Sequence, residues 1–270
     1  MNLVRSIGNS GLDIATYDYQ GIWQNVVQLY SNRSLTVQAD KLPALSGIAR
    51  KFQAVCKWHY MAGLWLEDIC SGLLWYCEGD TFHRKVESYR APSWSWASVD
   101  GAVKYQRPIK METFDSNFTL ILGKVGGFRI KVIGASCTPC TIDPTGAVKG
   151  GYLRISGSLV SVTYLGKLKG NYSCEKDGKS GHFFADFSIT NNHITTIPKP
   201  NDTLFVLLLA FYASASSLSS RDPPSGFLAL ILRNTNSTTL SFERLGLMSH
   251  MDDNLNSWFE GASEGEITIV

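Results

Sequence analysis

Five of the seven tryptophans of this chain fall between Trp58 and Trp96. Most of them sit in three short phrases: Ala62-Gly-Leu-Trp65, Leu73-Leu-Trp75 and Ser93-Trp-Ser-Trp96. An indole buries a large apolar area and needs an acceptor for its N–H, so such density requires close packing or an aromatic pocket wall. Two assignments compete. One is a packed hinge between helices and sheet; the other is a concave aromatic wall for an apolar ligand. If Ser93–Trp96 is extended, its two indoles share one face. Arg90 and Asp100 stand near enough in sequence to add the few oriented polar groups that a pocket uses.

Hydrophobic periodicity divides the chain around that block. Trp23, Val26, Val27 and Tyr30 recur at i, i+3, i+4 and i+7, one face of a helix. Asp40 reads as an N-cap, Pro43 falls in the first turn, and Leu45, Ile48, Ala49 and Phe52 form the stripe of a second helix. A third is expected over Glu67–Tyr76, with its acidic residues at the positive end of the helix dipole. After Arg90, Pro92 interrupts, and short apolar runs alternate with Gly, Pro, Asn and Asp. Strands are expected over Phe118–Gly123, Phe128–Ala135, Tyr152–Tyr164, His182–Ile189, Thr203–Tyr212, Gly226–Arg233, Thr238–Leu245 and Glu266–Val270. Gly126-Gly127 reads as a hairpin turn, and Ser214–Ser225 as an exposed loop. Many strands without helices between them argue for antiparallel sheets. The expected fold is α+β: a helical segment over 1–90, then a mostly antiparallel β region over 91–270, sandwich or barrel-like, packed as one unit.

Composition narrows the partners. Lys and Arg number 25 against 23 Asp and Glu, a net charge of +2, so there is no broad basic field to attract nucleic acid. No signal peptide is expected, because no apolar block of the required length follows Met1–Ile7. Its longest apolar stretch, Leu204–Ala213, is about half of the roughly 20 residues that a spanning helix needs. These features predict a soluble, cytoplasmic chain without a membrane span, in which the six cysteines are free thiols.

Motifs that announce a chemistry are scarce. Cys137-Thr-Pro-Cys140 is a lone CxxC with no second pair to complete a zinc site and no helix start to make it a redox dithiol. The five histidines are not paired at helical spacing, and no G-x-S-x-G elbow occurs. Gly123-Lys-Val-Gly-Gly127 lacks the spacing of a dinucleotide or phosphate loop. Asp252-Asp253 lacks the alternating ligands of a calcium loop. No cofactor and no metal are therefore expected.

The same residues resemble the region that follows the HET domain in fungal heterokaryon-incompatibility proteins. Tyr30-Ser-Asn-Arg-Ser-Leu-Thr36 and Asp40-Lys-Leu-Pro-Ala-Leu-Ser-Gly-Ile-Ala49 look like the family's helical entry. Ala62–Trp65, Leu73–Trp75 and Ala91-Pro-Ser-Trp-Ser-Trp-Ala97 look like its central signature. Asp143-Pro-Thr-Gly-Ala-Val-Lys-Gly-Gly-Tyr-Leu153, Gly226-Phe-Leu-Ala-Leu230, Phe242-Glu-Arg-Leu-Gly246 and Ile267-Thr-Ile-Val270 resemble its β-rich tail. The TIR-like HET domain itself has no counterpart here, so no effector residue carries over from it.

Two functions of different class follow as expectations. The first is a cofactor-independent cyclase or isomerase of fungal secondary metabolism, in its sharpest form a Diels–Alder-type pericyclase. It would hold a lipophilic intermediate against Trp65, Trp75, Trp94, Trp96 and Tyr105, with Arg90, Tyr60 and His59 orienting a carbonyl. The second is a non-catalytic regulatory or partner-binding module.

Overall fold

The periodicity of Trp23, Val26, Val27 and Tyr30 forms the helix it predicts. The structure, a computed structural model, describes residues 18–77, 84–85, 88–106, 112–114, 120–122, 128–168, 171–187, 198–212, 226–235, 240–251 and 258–270. Helix α1 spans Tyr19–Ser31, and the Asp18 carboxylate caps it by accepting from Gly21 N–H at 2.8 Å. Helix α2 spans Pro43–Cys56 and ends on Lys57 in the left-handed region, φ 62°. Its Leu45, Ala49 and Phe52 are buried, whereas Ile48 is exposed. Asp40 does not cap it. The chain makes a 3-10 turn over Gln38–Lys41 first, so Asp40 lies too early and Pro43 is the first helical residue.

The expected third helix is mostly not one. A 3-10 turn at Leu66–Asp68 runs into a single turn, α3, at Ile69–Gly72. Trp75–Cys77 is then a strand, paired antiparallel with Val103–Tyr105. The reason is visible in burial: Trp75 and Cys77 are inside and Tyr76 only partly so, a period of two within the apolar run.

The β region is one sheet closed on itself. Its strands are β1 Lys131–Pro139, β2 Val148–Leu168, β3 Asn171–Lys176, β4 Lys179–Ala185, β5 Thr203–Tyr212, β6 Gly226–Asn234, β7 Ser241–Met251 and β8 Ser263–Ile269. Antiparallel pairing runs from β2 to β5, β6, β7, β4, β3 and back to β2, a closed ring. Closure removes the free edges that an open sheet would expose. β8 bridges the ring at one end. It pairs antiparallel with β2 over Leu153–Leu159 and parallel with the start of β7. β1 pairs with the first part of β2, over Val148–Ser156.

The fold is thus α+β with a large antiparallel sheet after an N-terminal helical region, as expected, and the barrel alternative is the one realised. β2 shows how one strand serves both layers. Between Leu153 and Tyr164 its buried residues are Leu153, Ile155 and Gly157, then Val160, Val162 and Tyr164. The inward parity switches where β1 gives way to β5 as its neighbour. Phe227–Leu232 of β6 is buried without alternation, so both faces of that strand are covered.

The expected apolar runs overlap strands, but several ends shift: Phe128–Ala135 becomes Lys131–Pro139, Thr238–Leu245 becomes Ser241–Met251, and Asn171–Lys176 is a strand where none was expected. Thr203–Tyr212 coincides with β5. Of Phe118–Gly123 only Leu120–Leu122 is described, paired with Glu112–Phe114. Gly123–Gly127 with its Gly126-Gly127, Ser214–Ser225, Asp252-Asp253, His83 and His193 lie outside the described residues, as does the end of His182–Ile189. No helix among the described residues is long and apolar enough to cross a membrane.

Candidate functional site

The tryptophan phrases build the joint between helices and barrel. Trp23 and Trp96 both donate their indole N–H to the carbonyl of Gly63, at 2.8 and 2.9 Å. Gly63 has φ 96°, and a Cβ there would stand 2.6 Å from the Trp96 ring nitrogen. Only glycine fits both constraints. Trp75 donates to the Trp94 carbonyl at 2.9 Å. Trp65 packs on Trp23, Phe52 and Tyr60 with ring centroids 5.0 to 5.2 Å apart. Trp65, Trp75, Trp94 and Trp96 are all sealed from solvent. The aromatic set is core.

The strap Ser88–Val99 leads from this core across the barrel. Ser93 fastens it: its N–H and its hydroxyl both donate to the carbonyl of Val270 after β8, and its oxygen accepts from Arg244 N–H of β7 at 3.0 Å. Between strap and barrel lies a half-open cleft of about 580 Å³. Its walls are Ser88, Tyr89, Arg90, Ala91, Ser93, Ser98 and Val99 from the strap, Gly150 and Gly151 of β2, Asp186 and Phe187 after β4, Thr235, Glu243 and Arg244 around β6 and β7, and Val270.

The charged wall groups are held by the fold. Arg90 Nε donates to Ala97 O at 2.6 Å, Nη2 to Val99 O at 2.8 Å, and Nη1 to the Asp100 carboxylate at 2.7 Å and Gln38 O at 3.2 Å. Arg244 and Asp186 form a fully buried pair, with both carboxylate oxygens engaged. The same guanidinium donates to Leu73 O at 2.7 Å and to Trp75 O, and lies 3.6 Å over the Trp75 ring. Glu243 pairs with Arg233. Behind the strap, the buried Lys41 ammonium donates to Val99 O; burial, and then the nearby Arg90, lower its pKa to about 8. Tyr89, 55% exposed at the rim, has its phenol pushed up to about 12 by desolvation, with Cys137 and Cys140 adding to the shift.

Of the eight residues singled out from the sequence, Arg90 alone lines this cleft. Its donors are spent on the strap carbonyls of Ala97 and Val99, on Gln38 O and on the Asp100 carboxylate, because a buried guanidinium must satisfy its N–H groups locally. His59 lies on the surface, its ring nitrogen 2.5 Å from the Glu67 carboxylate and its side chain 75% exposed. Tyr60 and Tyr105 are buried, and burial drives both phenols far up. Their hydroxyls and the indole N–H groups of Trp65 and Trp94 have no hydrogen-bond partner among the described residues. Asp100 is the ion-pair partner of Arg90. The aromatic set therefore does not wall the cleft.

Sequence reasoning passed over Tyr89, Gly150, Asp186, Glu243 and Arg244. One signal was present: Glu243-Arg244 places two adjacent charges in the middle of a strand run, between Phe242 and Leu245. All six cysteines are free, and Cys137 in β1 is pushed up to about 12 by burial. Among the described residues no group of three or more His, Cys, Asp or Glu is placed to hold a metal ion.

Fold and site together define a closed antiparallel barrel with a helical cap and a lateral cleft at their seam. No family model matches the chain, and neither curated proteins nor solved structures return a match.

Proposed function

We propose that this chain is a recognition module, related to the region after the HET domain of fungal incompatibility proteins, and that it holds a small lipophilic molecule in the cleft without transforming it. One observation carries the reading. The cleft has the volume of a small-molecule site, yet among the described residues each charged side chain in its wall is already committed to an ion-pair partner. Such groups orient and exclude water; they are poorly placed to shuttle protons.

A second reading keeps the same cleft and adds turnover: cofactor-independent cyclisation or isomerisation of a lipophilic intermediate. The cleft's depth favours it over a flat partner surface, since confinement alone lowers a barrier by several kcal/mol when reacting atoms are held together. One experiment separates the two. The protein is incubated with a fungal culture extract and repurified, and the bound compounds are identified by mass spectrometry. In parallel, metabolites are compared with and without the gene co-expressed beside its genomic neighbours. A compound recovered unchanged supports recognition; a new product that needs the protein replaces it with catalysis. Recovery of nothing, with no metabolite changed, sinks both.

A further inference from the structure

The cleft also carries information about the charge of what it takes. Among the described residues, four charged side chains contribute to its wall: Arg90, Asp186, Glu243 and Arg244. Each is neutralised where it stands. Arg90 has Asp100 at 2.7 Å, Arg244 has Asp186 at 2.8 Å, and Glu243 has Arg233. Two of the pairs are anchored further. Arg90 is bound to main-chain carbonyls of its own strap, and Arg244 to those of Leu73 and Trp75. An entering ion would shed its hydration shell and meet no uncompensated opposite charge among these side chains. Gaining one would mean breaking a pair and stranding its partner.

An uncharged guest faces neither cost. It displaces water from the apolar surface of Tyr89, Ala91, Val99, Phe187 and Val270. The phenol of Tyr89, protonated at neutral pH like any tyrosine, offers a neutral donor at the rim. A carbonyl is the complementary acceptor.

Resting on the reading of the cleft as a ligand site, we propose that the cleft is selective for an uncharged, mainly apolar, carbonyl-bearing molecule, and that its internal ion pairs enforce this by rejecting anions and cations alike. The Arg233–Glu243 pair is the element that sets the response to cations. Arg233 lies outside the cleft wall, and Glu243 lies in it.

Three photoreactive probes on one aromatic frame test this: benzophenone, 4-benzoylbenzoate and 4-(aminomethyl)benzophenone as its ammonium. Each is crosslinked to the full chain near neutral pH, and the labelled peptides are mapped by mass spectrometry. The expected result is benzophenone labelling within Ser88–Val99, at Gly150-Gly151 or at Glu243-Arg244, with both ionic probes at least tenfold weaker there. Arg233→Met should raise cation labelling at Glu243-Arg244 about tenfold and leave benzophenone unchanged. Cleft labelling by either ion as strong as by benzophenone overturns the selectivity and leaves the ligand site standing. Unchanged cation labelling in a folded Arg233→Met variant overturns the role of the pair. Absence of cleft labelling by all three probes removes the ligand site itself.

Discussion

Gly63 shows how far one residue can constrain this molecule. Its carbonyl receives two indole N–H groups, and its α-carbon lies against the Trp96 ring. Gly63→Ala is expected to destabilise the fold by about 3 kcal/mol, from a strained positive φ and a clash with a ring that has nowhere to move. Urea titration of the two proteins measures it, and a loss under about 1 kcal/mol would show that the joint relaxes. Trp96→Ala should be costlier still, about 3 to 5 kcal/mol, because the indole is wholly interior. Asp68 gives a pH dependence. Burial, with Asp18 adding to it and Ser71 opposing it, raises its pKa to about 7. An unfolded Asp titrates near 4. Between those values the folded state holds a proton that the unfolded state has lost, so this contribution to stability falls as pH rises and levels off above about 7. Asp68→Asn should therefore lose less stability than the wild type between pH 5 and 8. Parallel profiles would assign the proton elsewhere.

At the scale of elements, short polar motifs turn out to be fasteners. The Asp143 carboxylate accepts from the Ser46 hydroxyl of α2, and from Thr145 N–H and hydroxyl at 3.0 and 2.7 Å. Asp143-Pro-Thr-Gly146 thus docks the turn between β1 and β2 onto a helix almost a hundred residues earlier. Those hydrogen bonds hold the Asp143 pKa down at about 2. Asp143→Ala should cost about 2 kcal/mol through the stranded hydroxyls. Amide exchange in α2 should speed up in step; unaltered protection there would mean that the helix needs no tether. Much at this scale was legible beforehand. The runs Thr203–Tyr212 and Gly226–Arg233 are strands because continuous β-branched, aromatic and leucine side chains fit a surface buried on both sides. Trp75 and Tyr76 fall inside the helix expected over Glu67–Tyr76 because an apolar run that short satisfies both periods, and the partner strand Val103–Tyr105 lies outside the local window.

For the whole molecule, the Asp186–Arg244 pair is where the halves meet. It links the segment after β4 with β7, and Arg244 reaches into the helical side through Leu73 and Trp75. Removing one partner strands a buried charge, so Asp186→Leu should cost about 3 to 5 kcal/mol, while Asp186→Leu with Arg244→Met should recover much of that loss. A double variant no better than the single would show that packing, not charge, is what fails. Because one apolar cluster runs from Trp23 to Ile269, tryptophan fluorescence and far-ultraviolet circular dichroism should trace the same unfolding transition. Separate midpoints would show two cooperative units.

Local rules were enough for the helix faces of Trp23 and Leu45, the strand runs and the antiparallel α+β character, since those depend on neighbours a few residues apart. They also required that the indoles be enclosed somewhere. Whether the rings faced a hollow or one another, that Arg90 would be consumed by its own strap, and that Gly150, Asp186, Glu243 and Val270 would share a wall depended on contacts between segments far apart in the chain. Such contacts follow from how the barrel closes, and no periodicity within a single segment encodes that closure.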